Sequence, residues 1–287
     1  MEISHLSFEF FPPRTEEEFR NLTRSADRLQ QENPDFFSVT YGAGGSTKDR
    51  TYHTVQKLRN LGLNTFPHLS WGDSSKLTML EQVSEYLRLG IEGMVVLRGD
   101  LPSGADGQLS HSPKDLVALI RQHFGEKLLI FVGCYPEVHP DADTMKTDLR
   151  FLKEKVDAGA TACITQYFYN VDAYIRFVDE CQRIGITQAI IPGIMPLYNY
   201  HVLVKFSQNC GADIPRWIER RMYEYREDKS ALEAFGIDVV SRLCTRLIES
   251  GAPGLHFYTL NRALSVKKIL KNLEITTESS NEMTEKK

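Results

Sequence analysis

Residues 6–29, LSFEFFPPRTEEEFRNLTRSADRL, contain a short apolar run, two prolines and then a longer amphipathic segment. In the apolar run Glu9 stands between two phenylalanines, so successive side chains alternate as they do on the two faces of a β-strand. After the prolines, Thr15 and Glu18 have the spacing of a helix capping box, and apolar residues then recur at helical spacing. The stretch therefore predicts one strand followed by one helix.

The same pattern recurs along the whole chain of 287 residues. Short β-branched or aromatic runs predict eight strands, at residues 6–11, 35–42, 64–70, 93–99, 128–135, 162–168, 189–194 and 254–260. Amphipathic segments between them predict helices, and a glycine suited to a helix carboxyl end closes five of these, namely Gly62, Gly90, Gly125, Gly159 and Gly185. In one helix, Ser112 is the predicted N-cap and Pro113 the first helical residue.

Eight strand–helix units in one chain predict a single-domain α/β fold, the (β/α)8 TIM barrel, over residues 1–275. No G-x-G-x-x-G motif follows the first strand, which argues against a dinucleotide-binding Rossmann domain. An insertion around Trp217 predicts an extra helix, whose role as a lid or an interface stays open. Residues 276–287 contain few large apolar side chains and are expected to form a disordered tail.

Composition narrows the class of protein. The 34 basic and 38 acidic residues are mixed along the chain, which predicts no nucleic-acid partner and no anionic membrane surface. We see no secretory signal and no apolar run long enough for a membrane span. The five cysteines are scattered without a C-x-x-C motif, which fits reduced thiols and a cytoplasmic location.

Polar or aromatic groups recur where the predicted strands end. In a barrel of this class the functional site is built at the carboxyl ends of the strands. The groups at these ends are Glu9, Thr40, Tyr41, His68, Arg98, Asp100, Tyr135, Gln166, Tyr258, Asn261 and Arg262. Strand ends also border polar loops, which alone would place some of these groups there.

Glu9 is the most informative of these residues. If its phenylalanine neighbours pack outward against helices, the carboxyl group points into the barrel mouth. Desolvation among apolar groups favours the protonated form of a carboxyl group, which suits a general acid near neutral pH. The alternative is a structural ion pair, with Arg14 or with an arginine of another loop.

Motifs in a fixed order carry a family resemblance. FEFFPPR, SVTYGAGGSTKDRT, PHL, LRGDLP, YPEVHP, ITQYF, IPGIMP and HFYTLNR lie in this order between residues 8 and 262. In sequence and order they resemble the catalytic barrel of the methylenetetrahydrofolate reductase family. The resemblance implies a flavoprotein in which FAD takes hydride from NADH or NADPH. The flavin then passes the hydride to 5,10-methylenetetrahydrofolate in a ping-pong scheme, giving the 5-methyltetrahydrofolate that supplies methionine synthesis.

The resemblance also implies roles for two acidic residues. Glu9 matches the family's general acid, which protonates N10 of the folate and opens its imidazolidine ring. The resulting 5-iminium cation is the hydride acceptor. Asp100 matches an aspartate near flavin N1 and the pterin, where its negative charge would lower the flavin potential and favour the cation.

Further contacts follow from the same resemblance. Those with FAD are Thr40, His68, Arg98, Gly99, Asp100, Tyr135, His139, Asp148 and Lys155. Arg98 and Lys155 would pair with the pyrophosphate. Folate or nicotinamide contacts, besides Glu9, are Gln166, Phe206 and Arg262. The acidic residues around His139 could instead suggest a metal, but their spacing fits no standard loop and the family uses none, so no metal is expected.

Two positions depart from the family pattern. Val202 stands where some bacterial relatives have a second substrate-binding glutamine, four residues before Phe206. The adenosine-side contact of FAD is also unassigned, with His111 or Ser112 as replacements. The choice between NADH and NADPH stays open, although bacterial relatives favour NADH, and the resemblance implies a homodimer or homotetramer.

Three other functions are compatible with parts of this pattern. One is another FAD-containing barrel oxidoreductase, similar to proline dehydrogenase, which would need no partner for a folate carboxylate. Another is a flavin- or folate-binding subunit without turnover, although such a subunit has no need of a costly buried carboxyl group. The third is a barrel hydrolase without flavin, which a yellow purified protein would exclude.

Overall fold

A computed structural model describes residues 2–41, 46–72, 74–98, 111–273 and 276–277. Its strands are β1 (Glu2–Ile3), β2 (His5–Phe10), β3 (Phe36–Val39), β4 (Thr65–Ser70), β5 (Gly93–Leu97), β6 (Leu129–Cys134), β7 (Ala162–Thr165), β8 (Ile190–Ile191), β9 (Gly193–Ile194), β10 (Gly254–Tyr258) and β11 (Thr276–Thr277). Its helices are α1 (Glu16–Gln30), α2 (Ser46–Asn60), α3 (Lys76–Arg88), α4 (Pro113–Phe124), α5 (Met145–Asp157), α6 (Val171–Arg183), α7 (Tyr200–Cys210), α8 (Arg216–Glu224), α9 (Lys229–Glu249) and α10 (Leu264–Leu273).

The main sheet is parallel and has the strand order β8-β7-β6-β5-β4-β3-β2-β10-β9. Its two end strands, β8 and β9, are halves of one predicted strand, interrupted at Pro192. Proline has no backbone N–H for the ladder, so pairing breaks there. Because β8 pairs with β7 while β9 pairs with β10, the sheet closes on itself. The predicted (β/α)8 barrel is confirmed.

Local sequence signals place the helices. Thr15 caps α1 by accepting a hydrogen bond from the Glu18 backbone N–H at 3.1 Å. In the first turn of α4, the Asp115 carboxylate accepts hydrogen bonds from the backbone N–H and the hydroxyl of the N-cap residue Ser112. All five predicted helix-closing glycines have positive φ, as a left-handed carboxyl cap requires. The extra helix predicted in the insertion is α8, and its Trp217 is exposed.

Strand β2 separates its side chains as its alternation predicts. Phe8 and Phe10 are fully buried in the large cluster between the sheet and the helices. Glu9 lies on the opposite face of the strand, toward the barrel interior. A second, smaller cluster contains Phe36 and residues from β4 to β8, and it fills the interior of the barrel. Inside and outside are therefore two distinct cores.

The two ends of the described chain meet in a separate two-stranded sheet. Strand β1 pairs in parallel with β11, so Glu2 faces Thr276 and Ile3 faces Thr277. These two threonines belong to the segment predicted as a tail, and residues 278–287 lie outside the described part of the chain. Among the described helices, none combines the length and hydropathy that crossing a bilayer requires.

Candidate active site

A cavity of about 560 Å³ opens at the carboxyl ends of the barrel strands. Residues of β2, β4, β5, β6, β7 and β10, of strand-end loops and of helices α2 and α7 line it. Six of the residues that the family resemblance assigns to the site contribute to this lining: Glu9, Thr40, His68, Tyr135, Gln166 and Phe206. The strand-end residues Tyr41 and Tyr258 line it as well. Residues far apart in the chain are thus brought together where the barrel fold predicts a site.

Glu9 lies at the base of the cavity between two histidines. Its Oε2 atom is 3.4 Å from Nε2 of His68 and 3.7 Å from Nε2 of His256. All three side chains are almost completely buried, that of Glu9 being 8% exposed. Arg14 also lines the cavity, but the ionic partners of Glu9 among the described residues are these histidines.

Burial sets the protonation of this group. Desolvation raises the pKa of Glu9 to about 7, against a smaller opposing effect of His68. Desolvation likewise lowers the pKa of His68 to about 4, and the nearby Glu9 charge offsets this only in part. The pKa of His256 falls to about 3 for the same reason. Near neutral pH the site therefore combines two neutral imidazoles with a carboxyl group that can hold or release a proton.

Some buried polar atoms at the cavity lack partners. Within the described residues, Oγ1 of Thr40 and both ring nitrogens of His68 make no hydrogen bond, and the 3.4 Å contact between His68 and Glu9 is not one. A buried polar atom without a partner is costly, so such atoms mark places where a ligand can supply the missing bond. An isoalloxazine ring, with its carbonyl and ring-nitrogen groups, fits this donor and acceptor set.

The loop after β6 joins further predicted residues. The ring of Tyr135 meets that of His139 edge to face, with centroids 4.5 Å apart. Asp148 accepts a hydrogen bond from the His139 backbone N–H at 2.9 Å. Between them Val138 has a φ of 70°, an uncommon value for a β-branched residue. Direct bonds to neighbouring elements thus hold a strained loop in place.

Two predicted cations lie close to the same loop. Arg98 forms an exposed ion pair with Asp141, whose backbone N–H donates to Nδ1 of His139. Lys155 reaches across from α5 and donates to the carbonyl oxygen of Gly133. Burial lowers the pKa of Lys155. Both cations border the strand ends, although neither lines the cavity itself.

The predicted substrate residues fall into two groups. Gln166 lines the cavity, and its Oε1 accepts a hydrogen bond from the Tyr167 backbone N–H. Phe206, on α7, stacks with Phe11 at a centroid distance of 6.5 Å, and both rings are more than one-third exposed. Arg262 is exposed and outside the cavity lining, with its guanidinium 5.3 Å from the ring centre of Tyr198.

Two predicted residues, Gly99 and Asp100, lie outside the described part of the chain. Val202 and Phe206 are both exposed on α7, one helical turn apart. The unassigned adenosine-side position His111 stacks on Trp71, with ring centroids 4.0 Å apart. Within the described residues, no group of three or more histidine, cysteine or acidic side chains is arranged to hold a metal ion.

Sequence reasoning named Tyr258 as a strand-end group but missed His256 at the base of the cavity. His256 contacts Glu9, and Tyr258 donates from its hydroxyl to the carbonyl oxygen of Thr165 at 2.7 Å. Both belong to β10, which pairs directly with β2 and aligns Tyr258 with Glu9. Period-two alternation places His256 and Tyr258 on one face of β10, which was the available signal.

Together, the closed parallel barrel and the cavity at its carboxyl end define a (β/α)8-barrel protein whose candidate site has a buried carboxyl group at its base. Residues 2–274 match the family model "Methylenetetrahydrofolate reductase". The chain belongs to the methylenetetrahydrofolate reductase family.

Individual relatives agree with this assignment. The chain is 40% identical over 260 residues to "5,10-methylenetetrahydrofolate reductase" of Escherichia coli (strain K12), covering 90% of this chain and 87% of that protein. It is 37% identical over 288 residues to "Probable methylenetetrahydrofolate reductase (NADH)" of Oryza sativa subsp. japonica, covering 95% of this chain. It spans about half the length of that plant relative, 48%.

A solved structure supports the fold. An uncharacterized protein from Clostridium thermocellum, described as binding two copies of 5-methyl-5,6,7,8-tetrahydrofolic acid, superposes with a TM-score of 0.65. The match covers 95% of this chain and 94% of that one, at 17% sequence identity. At this identity the similarity establishes the barrel architecture.

Proposed function

We propose that this protein reduces 5,10-methylenetetrahydrofolate to 5-methyltetrahydrofolate with electrons from NADH or NADPH. The observation that carries the proposal is the buried Glu9 carboxyl group, whose pKa of about 7 lets it deliver a proton near neutral pH. Membership of the methylenetetrahydrofolate reductase family supports the choice of substrate. The folate ligand described for the Clostridium thermocellum barrel is compatible with it.

FAD is the cofactor that the proposal requires, and it would accept hydride from the nicotinamide and pass it to the folate. Thr40 and His68 would hydrogen-bond the flavin ring, because their buried polar atoms lack partners within the described chain. The cations Arg98 and Lys155 would pair with the pyrophosphate. Tyr135 and His139 of the loop after β6, and Asp148 of α5, would contact other parts of the cofactor. Gly99 and Asp100, outside the described residues, stay predictions from the family pattern.

Glu9 performs the acid step in this proposal. Its proton goes to N10 of the folate, the ring C–N bond breaks, and N5 retains a methylene iminium group that is ready for hydride. His68 and His256 are neutral near pH 7, so they do not hold the carboxyl group in its ionised form. Gln166 and Phe206, which line the cavity, would orient the folate or nicotinamide. Arg262 would reach the folate carboxylates from outside the lining.

The experiment is an anaerobic titration followed by visible spectroscopy. The purified protein is expected to show flavin bands that bleach with NADH or NADPH and return on addition of 5,10-methylenetetrahydrofolate. Tetrahydrofolate without the methylene bridge is the control, because it has no carbon to accept hydride. A flavin that bleaches but ignores the folate would indicate another oxidoreductase, and a protein that binds no flavin would refute the proposal.

The same titration also compares the two nicotinamides. The relative rates at which NADH and NADPH bleach the flavin bands decide which one the protein prefers. Provision of the methyl group for methionine synthesis, a cytoplasmic location and a homodimeric or homotetrameric assembly are further parts of the proposal. The assembly is measured by light scattering of the flavin-loaded protein.

A further inference from the structure

Strand β2 directs a polar side chain into the barrel at every second position: His5, Ser7 and Glu9. These side chains belong to one continuous series of contacts with two residues of other strands and loops. Oδ2 of Asp35 lies 2.7 Å from Nδ1 of His5, and Nε2 of His5 lies 2.9 Å from Oγ of Ser7. The same Oγ lies 2.7 Å from Nδ1 of His256, whose Nε2 is 3.7 Å from Glu9.

This series crosses the barrel interior from one end to the other. Asp35 and His5 lie at the amino-terminal end of the strands, where their side chains are 27% and 11% exposed. His256 and Glu9 are 1% and 8% exposed, at the base of the cavity. The series therefore begins in contact with solvent and ends at the acid group.

The surroundings of the series are apolar. Phe36 lies against both imidazoles, with ring centroids 5.4 Å from His5 and 6.3 Å from His256. Phe36 belongs to the aromatic and aliphatic cluster that fills the rest of the interior. A series of polar groups through an apolar core is costly unless the groups are paired. Here both ring nitrogens of His5 have partners, and Nδ1 of His256 is paired with Ser7, while Nε2 of His256 faces Glu9 across 3.7 Å, which is longer than a hydrogen bond.

We propose that Asp35, His5, Ser7 and His256 form a proton relay that returns a proton to Glu9 from the amino-terminal end of the barrel. The inference rests on the proposed function, in which Glu9 gives a proton to the folate in every turnover. While flavin and folate fill the cavity above Glu9, they cover its route to solvent at the mouth. The relay reaches Glu9 from the opposite side, so ligands that fill the cavity do not block it.

Each link of the relay passes one proton. Asp35, or water beside it, gives a proton to Nδ1 of His5, while Nε2–H of His5 passes its proton to the Ser7 hydroxyl. Ser7 passes its own proton to Nδ1 of His256, and Nε2–H of His256 gives its proton to the Glu9 carboxylate. One proton enters from solvent, one is added to Glu9, and the intermediate groups end neutral. The two imidazoles and the hydroxyl then reorient before the next transfer.

His68 also contacts Glu9 but stands outside the relay. Within the described residues neither of its ring nitrogens has a hydrogen-bond partner, so it has no onward link. Tyr258, the other titratable neighbour from β10, donates its hydroxyl proton to the Thr165 carbonyl. A carbonyl oxygen has no proton to pass on. The path through Ser7 and His256 is the one that extends from Glu9 to the partly exposed end of the strands, and its last proton passes when the 3.7 Å between Nε2 of His256 and Glu9 shortens to hydrogen-bond distance.

The first test separates the first turnover from later ones. Flavin-loaded Ser7→Ala, already reduced, is mixed with 5,10-methylenetetrahydrofolate. Its first reoxidation is expected at the wild-type rate because Glu9 starts protonated, whereas steady-state kcat falls about tenfold or more. Ser7→Thr keeps the hydroxyl and is expected to restore kcat. Equal loss of the first turnover, or an unchanged kcat, would overturn the relay.

Matched variants exclude a general effect on the barrel. Ser38→Ala removes an equally buried hydroxyl from β3, beside Glu9 in register but outside the contact series, and is expected to leave both rates unchanged. His5→Phe breaks the series at its partly exposed end, where an aromatic ring can pack beside Phe36. It is expected to lower the steady-state kcat while leaving the first flavin reoxidation at the wild-type rate, as expected for Ser7→Ala. The same combination of effects in Ser38→Ala would show that the loss of kcat does not depend on this series of contacts.

The second test needs no turnover. In the purified protein labelled with ¹⁵N-histidine, His5→Phe is expected to shift the ring-nitrogen signals of His256 when Ser7 is present but not in a Ser7→Ala background. Signals of His256 that ignore His5→Phe with Ser7 present would refute the hydrogen-bonded series. If wild-type reduced flavin ignores the folate, the proposed function fails, and this NMR result still decides whether the relay exists.

Discussion

Nε2 of His68 lies 3.4 Å from Oε2 of Glu9, and both side chains are less than one-tenth exposed. An imidazole so close to a carboxylate commonly gains a proton and stabilises the ionised pair. Here burial outweighs that attraction, raising the pKa of Glu9 to about 7 and lowering the pKa of His68 to about 4. The contact therefore joins two neutral groups near pH 6.

The rate of folate reduction should follow the protonation of Glu9. Because the acid form is the active one, the rate of flavin reoxidation by the folate is expected to fall as pH rises through about 7. Flavin reduction by nicotinamide needs no proton from Glu9 and should not show this step. Stopped-flow measurement of both half-reactions across pH tests the difference, and a shared step would argue against the assigned role.

Glu9→Gln should separate the two half-reactions. The amide keeps the size of the side chain but cannot protonate N10, so we expect folate-dependent reoxidation to fall by about 10²- to 10⁴-fold. FAD binding and its reduction by NADH should persist. The bound flavin is quantified by absorbance before each rate is measured. Loss of flavin, or of both half-reactions, would make Glu9 a structural residue.

The same substitution should change stability in a pH-dependent way. Between its ordinary pKa of 4.5 and about 7, Glu9 binds more protons in the folded than in the unfolded state, so its contribution to folding weakens as pH rises through this window. As pH rises from 5 to 8, the free energy of unfolding of Glu9→Gln should therefore increase relative to that of the wild type, by an amount on the order of 3 kcal/mol. Urea unfolding of both flavin-free proteins measures it, and a constant difference would contradict the raised pKa.

Lys155→Met should weaken FAD binding. The lysine donates to Gly133 at the end of β6, and burial lowers its pKa, so it is held close to the barrel mouth. A charge-assisted hydrogen bond to a phosphate contributes about 1.5–3 kcal/mol, which predicts at least a tenfold rise in Kd for FAD. Lys153→Met, which removes an ion-paired lysine from the same helix, is the control. Fluorescence titration measures the Kd for FAD in both variants. An equal rise in Kd in both would mean that the loss of any lysine from α5 weakens binding, and would contradict a specific role of Lys155.

Val202→Gln should strengthen substrate binding. Val202 is exposed on α7, one turn before Phe206, where some bacterial relatives have a substrate-binding glutamine. An added hydrogen bond of about 1 kcal/mol predicts a fall of several-fold in KM for folate or nicotinamide. Because the position is exposed, stability should be unchanged. Leu77→Gln on α3 is the surface control, and an unchanged KM for both substrates would show that α7 takes a different position over the ligand.

The sequence predicts much of the barrel because its signals are local. Alternation around Glu9 orients β2, and glycines with positive φ end the helices. The interruption at Pro192 was hidden because AIIPGI reads as one apolar run. It became visible only through pairing, since β8 and β9 face different neighbours.

Contacts inside the site were harder to predict because they join distant parts of the chain. Ser7 and His256 are 249 positions apart, and nothing in either segment indicates the other. The pairing of β2 with β10 creates that contact. Family resemblance implies a cofactor contact for Arg98, which stays a prediction, but its ion pair with Asp141 depends on how two loops meet. The ligand contacts of Arg262 and Asp100 stay predictions.

Strand β2 serves two requirements on opposite faces. Leu6, Phe8 and Phe10 pack into the outer core, while His5, Ser7 and Glu9 point into the barrel. A change on the outer face alters chiefly how firmly the barrel holds together, and a change on the inner face alters chiefly what it can do. Stability and chemistry can thus be selected independently within six consecutive residues. The outward-facing side chains of this strand could therefore be redesigned for packing while the inward-facing polar side chains are kept unchanged.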